Sequence, residues 1–266
     1  MPPIDLTPPT VPPSAYDTTY YRESCGDAAA WNDRRAVDGI YGWVVTELGI
    51  DHDASLVDLG CGRGELVVGA TLAGARRAVG VEYSPDALEL ARDTARTHGV
   101  EDRVELQQGD VRATGLPDGA FDHAAMLDVV EHLTAPELHD ALVEARRLLR
   151  PGGSLIVHTM PNRLVYDRTY RVLRALWPTG RRWPRDPRKR IEHEMHVGEL
   201  SRRELRDALR AAGFVDVDAR LGHVVWFDFV PSVRGRRVLH ALDRIPPMRP
   251  WTRNDLLARA VRPEDS

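Results

Sequence analysis

Between residues 55 and 159 the chain alternates short apolar runs with stretches of helical periodicity. Four runs carry an acid at or near their carboxyl end: SLVDLG at 55–60, RAVGVEY at 77–83, RVELQQGD at 103–110 and FDHAAMLD at 121–128. Helices between strands imply parallel pairing through right-handed crossovers, so the predicted fold is α/β, a doubly wound, Rossmann-like sheet. Ligands bind such sheets beyond the carboxyl ends of the strands. That placement would gather Asp58, Glu82, Asp110 and Asp128 along one rim. Read singly, each acid could be a helix cap or turn residue; as a set they point to a site.

The intervening helices carry recognisable ends. Ser84 caps a helix that opens on Pro85, Thr134 and Glu137 form a capping box, and Ser201 with Glu204 forms another ahead of a helix closing at Gly213. Strands SLIVHTM, FVDVDARL and DLLARAV follow. A chain of 266 residues with 42% hydrophobic content suits one domain with insertions. Residues 1–15 are Pro-rich and predicted extended or disordered; the domain spans 16–266, with insertions at about 161–196 and 223–252. A net charge of -4 gives no global pull toward nucleic acid. Cys25 and Cys61 make neither a disulfide framework nor a metal knuckle, and no signal peptide or long apolar run is present. A cytoplasmic location is expected, with no transmembrane segment.

The loop LVDLGCGRGEL narrows the ligand. A dinucleotide fingerprint needs a third glycine where this chain has Glu65, and a carboxylate beside a pyrophosphate is repelled, as is Asp58 upstream. A ligand lacking phosphates but carrying an ammonium group would welcome Asp58. Glu82 is then placed to accept from both ribose hydroxyls.

DLGCGRGEL, VGVEYS, QQGD and LLRPGGSLIVHTMPN, in this order, resemble the successive motifs of class I S-adenosylmethionine-dependent methyltransferases, over roughly residues 36–221 plus the last strand. The resemblance implies a seven-stranded, mostly parallel sheet with a terminal antiparallel strand, flanked by helices and carrying lid insertions. Its cofactor would be S-adenosyl-L-methionine, leaving as S-adenosyl-L-homocysteine. Asp58 would then meet the methionine ammonium, and Gly60 and Gly62 would line the methionyl and ribose backbone, with Cys61 and Gly64 in the same loop wall. Glu82 would hold the ribose, Tyr83 would lie on the adenine, Asp110 and the Val111 amide would pair with it, and the Leu127 carbonyl would face the methionyl group. Arg34 or Arg35, near Tyr20, Tyr21 and Trp31, is the candidate partner for the methionine carboxylate.

Methyl transfer to a hydroxyl calls for a nearby base, and histidine titrates in the right range. Candidates are Asp128, Glu131 and His132 in LDVVEHL, His158 at the next strand end, and His193 and His196 in EHEMHV. Each histidine has a structural alternative, as a helix-start hydrogen bonder, a satisfied residue under the lid or a lid anchor. DVVEHL and HVGELSRRELRDALRAAGF resemble bacterial small-molecule and quinone-type O-methyltransferases. Glu131-His132 with a later histidine also resembles the metal-binding arrangement of small-RNA 3′-terminal 2′-O-methyltransferases, although Asp128 stands where that pattern carries a glutamate.

Residues 163–190 hold ten Arg or Lys against two Asp, interleaved with Tyr166, Tyr170, Trp177 and Trp183. Such a segment can read nucleic acid, grip an acidic or phosphorylated small molecule, or rest on a membrane. A substrate lid fits the acidic remainder of the chain best, and the apolar, arginine-bearing second insertion would wall the acceptor pocket, with peripheral membrane contact as the alternative. The leading expectation is O-methylation of a small molecule in secondary or specialised (natural-product) metabolism, with no metal assigned, a nucleic-acid partner disfavoured and the oligomeric state open. The alternatives are a metal-dependent RNA 2′-O-methyltransferase and a non-catalytic cofactor-binding protein acting through its basic arm.

Overall fold

A computed structural model describes residues 6–24, 39–224, 227 and 230–264. Strands β1 (Ser55–Leu59), β2 (Arg77–Glu82), β3 (Val104–Gln108), β4 (Phe121–Leu127), β5 (Leu149–Thr159), β6 (Val215–Leu221) and β7 (Leu256–Val261) form one sheet in the order β3-β2-β1-β4-β5-β7-β6. The first five positions pair parallel, and β7 runs antiparallel between β5 and β6. Strand order reverses between β1 and β4, which sets the topological switch point there.

β1 is buried at every position because helices cover both faces of the sheet. On one face, helix Ala135–Leu148 turns Leu138, Ala141, Leu142, Ala145 and Leu148 onto Val57, Leu59, Met126 and Val157, beside Leu205 and Leu209 of helix Arg202–Ala211. On the other, helices Gly39–Leu48 and Glu65–Ala73 pack Val44, Leu48, Leu66 and Ala70 on Leu56, Ala78 and Ile156. Each such leucine contributes about 1.5–3 kcal/mol by leaving water. The caps read from sequence are present: Ser84 accepts from the Ala87 amide, and both boxes close around Glu137 and Glu204.

Two segments outside this frame shape the site. Residues 6–15, part of the stretch 1–15 predicted extended or disordered, form a strap with a short 3-10 turn, Pro13–Ala15, that leads into Tyr16, with Val11 and Tyr16 buried. Tyr83 donates to the Val11 carbonyl at 2.8 Å, Ser84 Oγ to that of Tyr16 at 2.7 Å, and the Thr10 amide donates to Glu137 at 2.7 Å. Polar anchors thus hold a segment whose composition alone specifies little. The basic arm comprises a π-helical turn Val165–Tyr170 and helices Arg171–Leu176 and Arg190–Met195, with a 3-10 turn between them. Its Tyr170 and Trp183 are buried with Phe227, Val230 and Leu239 of the second insertion, so the two insertions share one small core.

Candidate active site

Asp58, Glu82, Asp110 and Asp128, brought together by the strand order, all line a single cavity of about 710 Å³. Asp58 is buried, and burial first, then the charges of Glu65 and Glu82, push its carboxyl up to about 8. Glu82 is raised by burial as well, but accepts from the amides of Gly62 (3.1 Å) and Ser84 (2.9 Å), which favour its charged form. Glu65, where a dinucleotide loop would carry glycine, is buried against the Arg63 guanidinium at 2.6 Å. Arg63 was not among the candidates; it lies in the glycine loop and is a buried cation beside these acids. Arg34, Arg35 and Trp31 lie outside the described residues.

Gly60 has φ +82°, and a Cβ there would come within 2.5 Å of Val129 Cγ2. Gly60→Ala is therefore expected to cost about 1–3 kcal/mol through backbone strain and displacement of Val129, read as a lower denaturation midpoint. Gly62 and Cys61 line the cavity, while Gly64 packs against Ala91, its would-be Cβ 3.0 Å from that residue's Cβ. Gly64 therefore serves close helix packing and is not part of the cavity lining, which Gly60 and Gly62 form.

Tyr83, Val111 and Leu127 also face the cavity, closed above by Val11, Tyr16, Tyr20 and Tyr21. Both Asp110 oxygens are engaged by Arg112, at 3.0 Å from Nε and 2.7 Å from Nη2, and Arg112 also donates to the Thr7 carbonyl at 3.1 Å. A carboxylate has further lone pairs, so an adenine amino group can still be accepted. Arg112, missed in the sequence, ties strap, acid and helix start together.

At the other end, β4 delivers Asp128 with φ +54° and runs into the 3-10 turn Val130–His132. His132 is buried in the cavity wall, Nδ1 3.2 Å from the Met195 carbonyl, its ring edge-on to Tyr16 and His196. Burial, then the neighbouring His196, lower its pKa to about 3, so it stays neutral and is a poor base near neutral pH. Glu131 is buried, accepts from Thr159 Oγ1 at 2.8 Å, and is raised by burial and by Asp128. His196 is held up despite burial by Glu199, 3.6 Å from its Nδ1, and by Glu131. Ligand atoms of Glu131, His132 and His196 lie within 4.8 Å of one another.

Two predicted bases fall elsewhere. His158 is buried behind Asp128, with Nδ1 2.9 Å from that carboxylate and Nε2 3.5 Å from Asp255. Burial pulls its pKa down, but the two carboxylates outweigh it and hold the ring charged up to about 10. So paired, His158 stands behind Asp128 and is not part of the cavity lining. Asp255 also accepts from the amides of His223 (3.2 Å) and Val224 (2.8 Å), fixing the start of the second insertion. His193 is half-exposed, 3.8 Å from Asp186, and lines a separate groove with Arg188 and Glu199. It turns outward because helix Arg190–Met195 presents Met195 to the cavity.

A doubly wound sheet whose strand ends place buried carboxylates around a glycine loop defines a protein built to bind a cationic nucleoside. The methyltransferase-domain family matches residues 57–157. The chain is 31% identical over 217 residues, 79% of its length and 72% of the relative's, to a probable S-adenosylmethionine-dependent methyltransferase of Mycolicibacterium smegmatis. It is 34% identical over 100 residues, 38% of its length and 36% of the relative's, to the 27-O-demethylrifamycin SV methyltransferase of Amycolatopsis mediterranei. Among solved structures it superposes on the [4+2]-cyclase SpnF with a TM-score of 0.58 at 22% identity, covering 85% of this chain and 81% of that one. The chain belongs to the S-adenosylmethionine-dependent methyltransferases. Its buried, charge-crowded Asp58 and its glycine cradle fit that cofactor, whose ammonium would relieve the carboxylate.

Proposed function

We propose that the enzyme methylates an oxygen of a small molecule, in secondary or specialised metabolism. One observation carries this reading: the cavity that holds the cofactor acids continues without a break to Glu131, His132, Met160, Tyr166, Met195 and His196, which gives a small acceptor room beside the donor, with apolar walls and titratable groups together. The cofactor supplies an electrophilic methyl group on a sulfonium. The chain's own part is to seat donor and acceptor in line, to exclude water beneath the strap and lid, and to receive the acceptor's proton. The Glu131–His196 pair is suited to receiving that proton, because Thr159 fixes one Glu131 oxygen and ligand atoms of the two side chains lie within 4.8 Å of each other in the cavity wall. The rifamycin relative, whose name specifies an oxygen as its methylated position, supports the acceptor class.

A second reading rests on the Glu131, His132 and His196 cluster. Two imidazoles and a carboxylate suit a divalent transition ion, and His132 already directs Nδ1 to a backbone carbonyl, which leaves Nε2 for a metal. Such an ion would lower the pKa of an acceptor hydroxyl in place of the base. An RNA acceptor is less well served, because Tyr166, Tyr170 and Trp183 are buried and unavailable for base stacking.

Incubation with methyl-labelled cofactor and either a small-molecule extract or short RNA, with and without chelator, separates the readings. Label entering the extract irrespective of chelator is expected; loss on chelation selects the metal-assisted reading. Chelator-sensitive label in RNA overturns the small-molecule acceptor, and cofactor binding without labelling of any acceptor favours a binding protein.

A further inference from the structure

We propose that the two insertions together form a docking surface for an anionic lipid bilayer. Segments 171–185 and 231–253 carry eleven arginines against one aspartate, in a chain whose net charge is -4. The insertions that carry these segments share a core of Tyr170, Trp183, Phe227, Val230 and Leu239, which makes them one structural unit. Arg171, Arg181, Arg182, Arg185, Arg234 and Arg237 are exposed, and none has a carboxylate within 4.0 Å among the described residues. Other arginines of the chain are committed: Arg63, Arg112, Arg147 and Arg188 each hold acids. A concentration of uncommitted guanidinium groups is matched by a surface of phosphates.

The residues between these arginines decide which phosphate surface. Leu176 is 80% exposed, Val172 56% and Val233 55%, with Val238 and Ile245 also exposed. Val172 and Leu176 stand four apart on helix Arg171–Leu176, hence on one side of it, while Leu173 faces the shared core. Aliphatic side chains among arginines gain by entering an acyl boundary. They gain little against nucleic acid, where a row of aromatics would be displayed: Tyr166, Tyr170 and Trp183 are buried, and Trp251, 37% exposed, suits a membrane interface as well as a base. No helix among the described residues is long and apolar enough to cross a membrane, so the contact is peripheral. The proposal does not depend on which acceptor is methylated.

Sedimentation of the full chain with vesicles tests it. Binding is expected to vesicles of phosphatidylcholine with about 30% phosphatidylglycerol, to fall at high salt, and to be weak with phosphatidylcholine alone. The pair Arg181→Glu and Arg182→Glu should lower the partition coefficient roughly tenfold or more, and Leu176→Ser should lower it severalfold. Unchanged melting temperature and cofactor affinity in these variants would show that folding and donor site are intact. Failure to bind anionic vesicles, binding that the charge reversals leave unaltered, or tight binding to short RNA with none to vesicles would each overturn the proposal. Methyl transfer to a dissolved acceptor, measured separately, could stand in any of those cases.

Discussion

Glu82→Ala is expected to weaken S-adenosylmethionine binding at least roughly 100-fold, about 3 kcal/mol or more, without unfolding the chain. Glu82 ends β2 with its carboxylate buried in the cavity wall and pinned by the Gly62 and Ser84 amides. That pinning leaves the remaining lone pairs free for a ribose, and hydrogen bonds from two hydroxyls to a charged, desolvated acceptor would each be worth about 1.5–3 kcal/mol. The alanine variant would lose both while leaving two amides in need of water. Isothermal titration with S-adenosylhomocysteine reads the effect directly. An affinity within about threefold of the parent would sink the ribose assignment.

The second large effect concerns pH. Asp58 has its carboxyl pushed up to about 8 in the ligand-free fold, against an ordinary aspartate value in the unfolded chain. Between those values the folded state binds more protons than the unfolded one. Stability is therefore greatest at low pH on this account and falls as pH rises from the ordinary carboxylate range toward about 8. His158, held up to about 10 from an ordinary value of 6.5, adds a loss in the same direction that begins near pH 6.5 and continues to about 10. A cofactor ammonium beside Asp58 restores what deprotonation costs, so the melting-temperature increase on adding cofactor should grow from pH 6 to pH 8. Asp58→Asn removes the penalty. It is expected to stabilise the ligand-free protein at pH 8 by about 1–4 kcal/mol while abolishing most cofactor affinity. Scanning calorimetry across pH checks both; a parent whose stability climbs between pH 6 and pH 8 would refute the assignment of Asp58 as an uncompensated buried acid.

The donor half of the site was legible because it depends on short-range rules. β1, β2 and β4 announce themselves by period and length, parallel connection is forced by the helices between them, and the acids then fall on one rim whatever else the chain does. Arg112 escaped notice because only Asp110, among its partners, is near in sequence; Thr7 and Glu137 reach it only after folding. The strap was opaque for a related reason. Proline-rich composition specifies an extended chain, and what fastens it are Tyr83, Ser84 and Glu137 on the body.

The histidines mark the boundary most clearly. All of them satisfy the same chemical requirement in the sequence, yet His132 and His196 meet in the cavity wall, His158 is locked between Asp128 and Asp255, and His193 faces outward. Their separation depends on how the basic arm returns over β4, and that is set by burying Tyr170 and Trp183 against Phe227 and Leu239 from the other insertion. The sequence by itself determined the α/β frame, the glycine loop and the strand-end acids that line the cavity, since local periodicity and connection handedness decide those. Only the tertiary structure decided which side chains face the acceptor and which arginines and aliphatics remain on the surface, because contacts between distant insertions have no local signature in the chain.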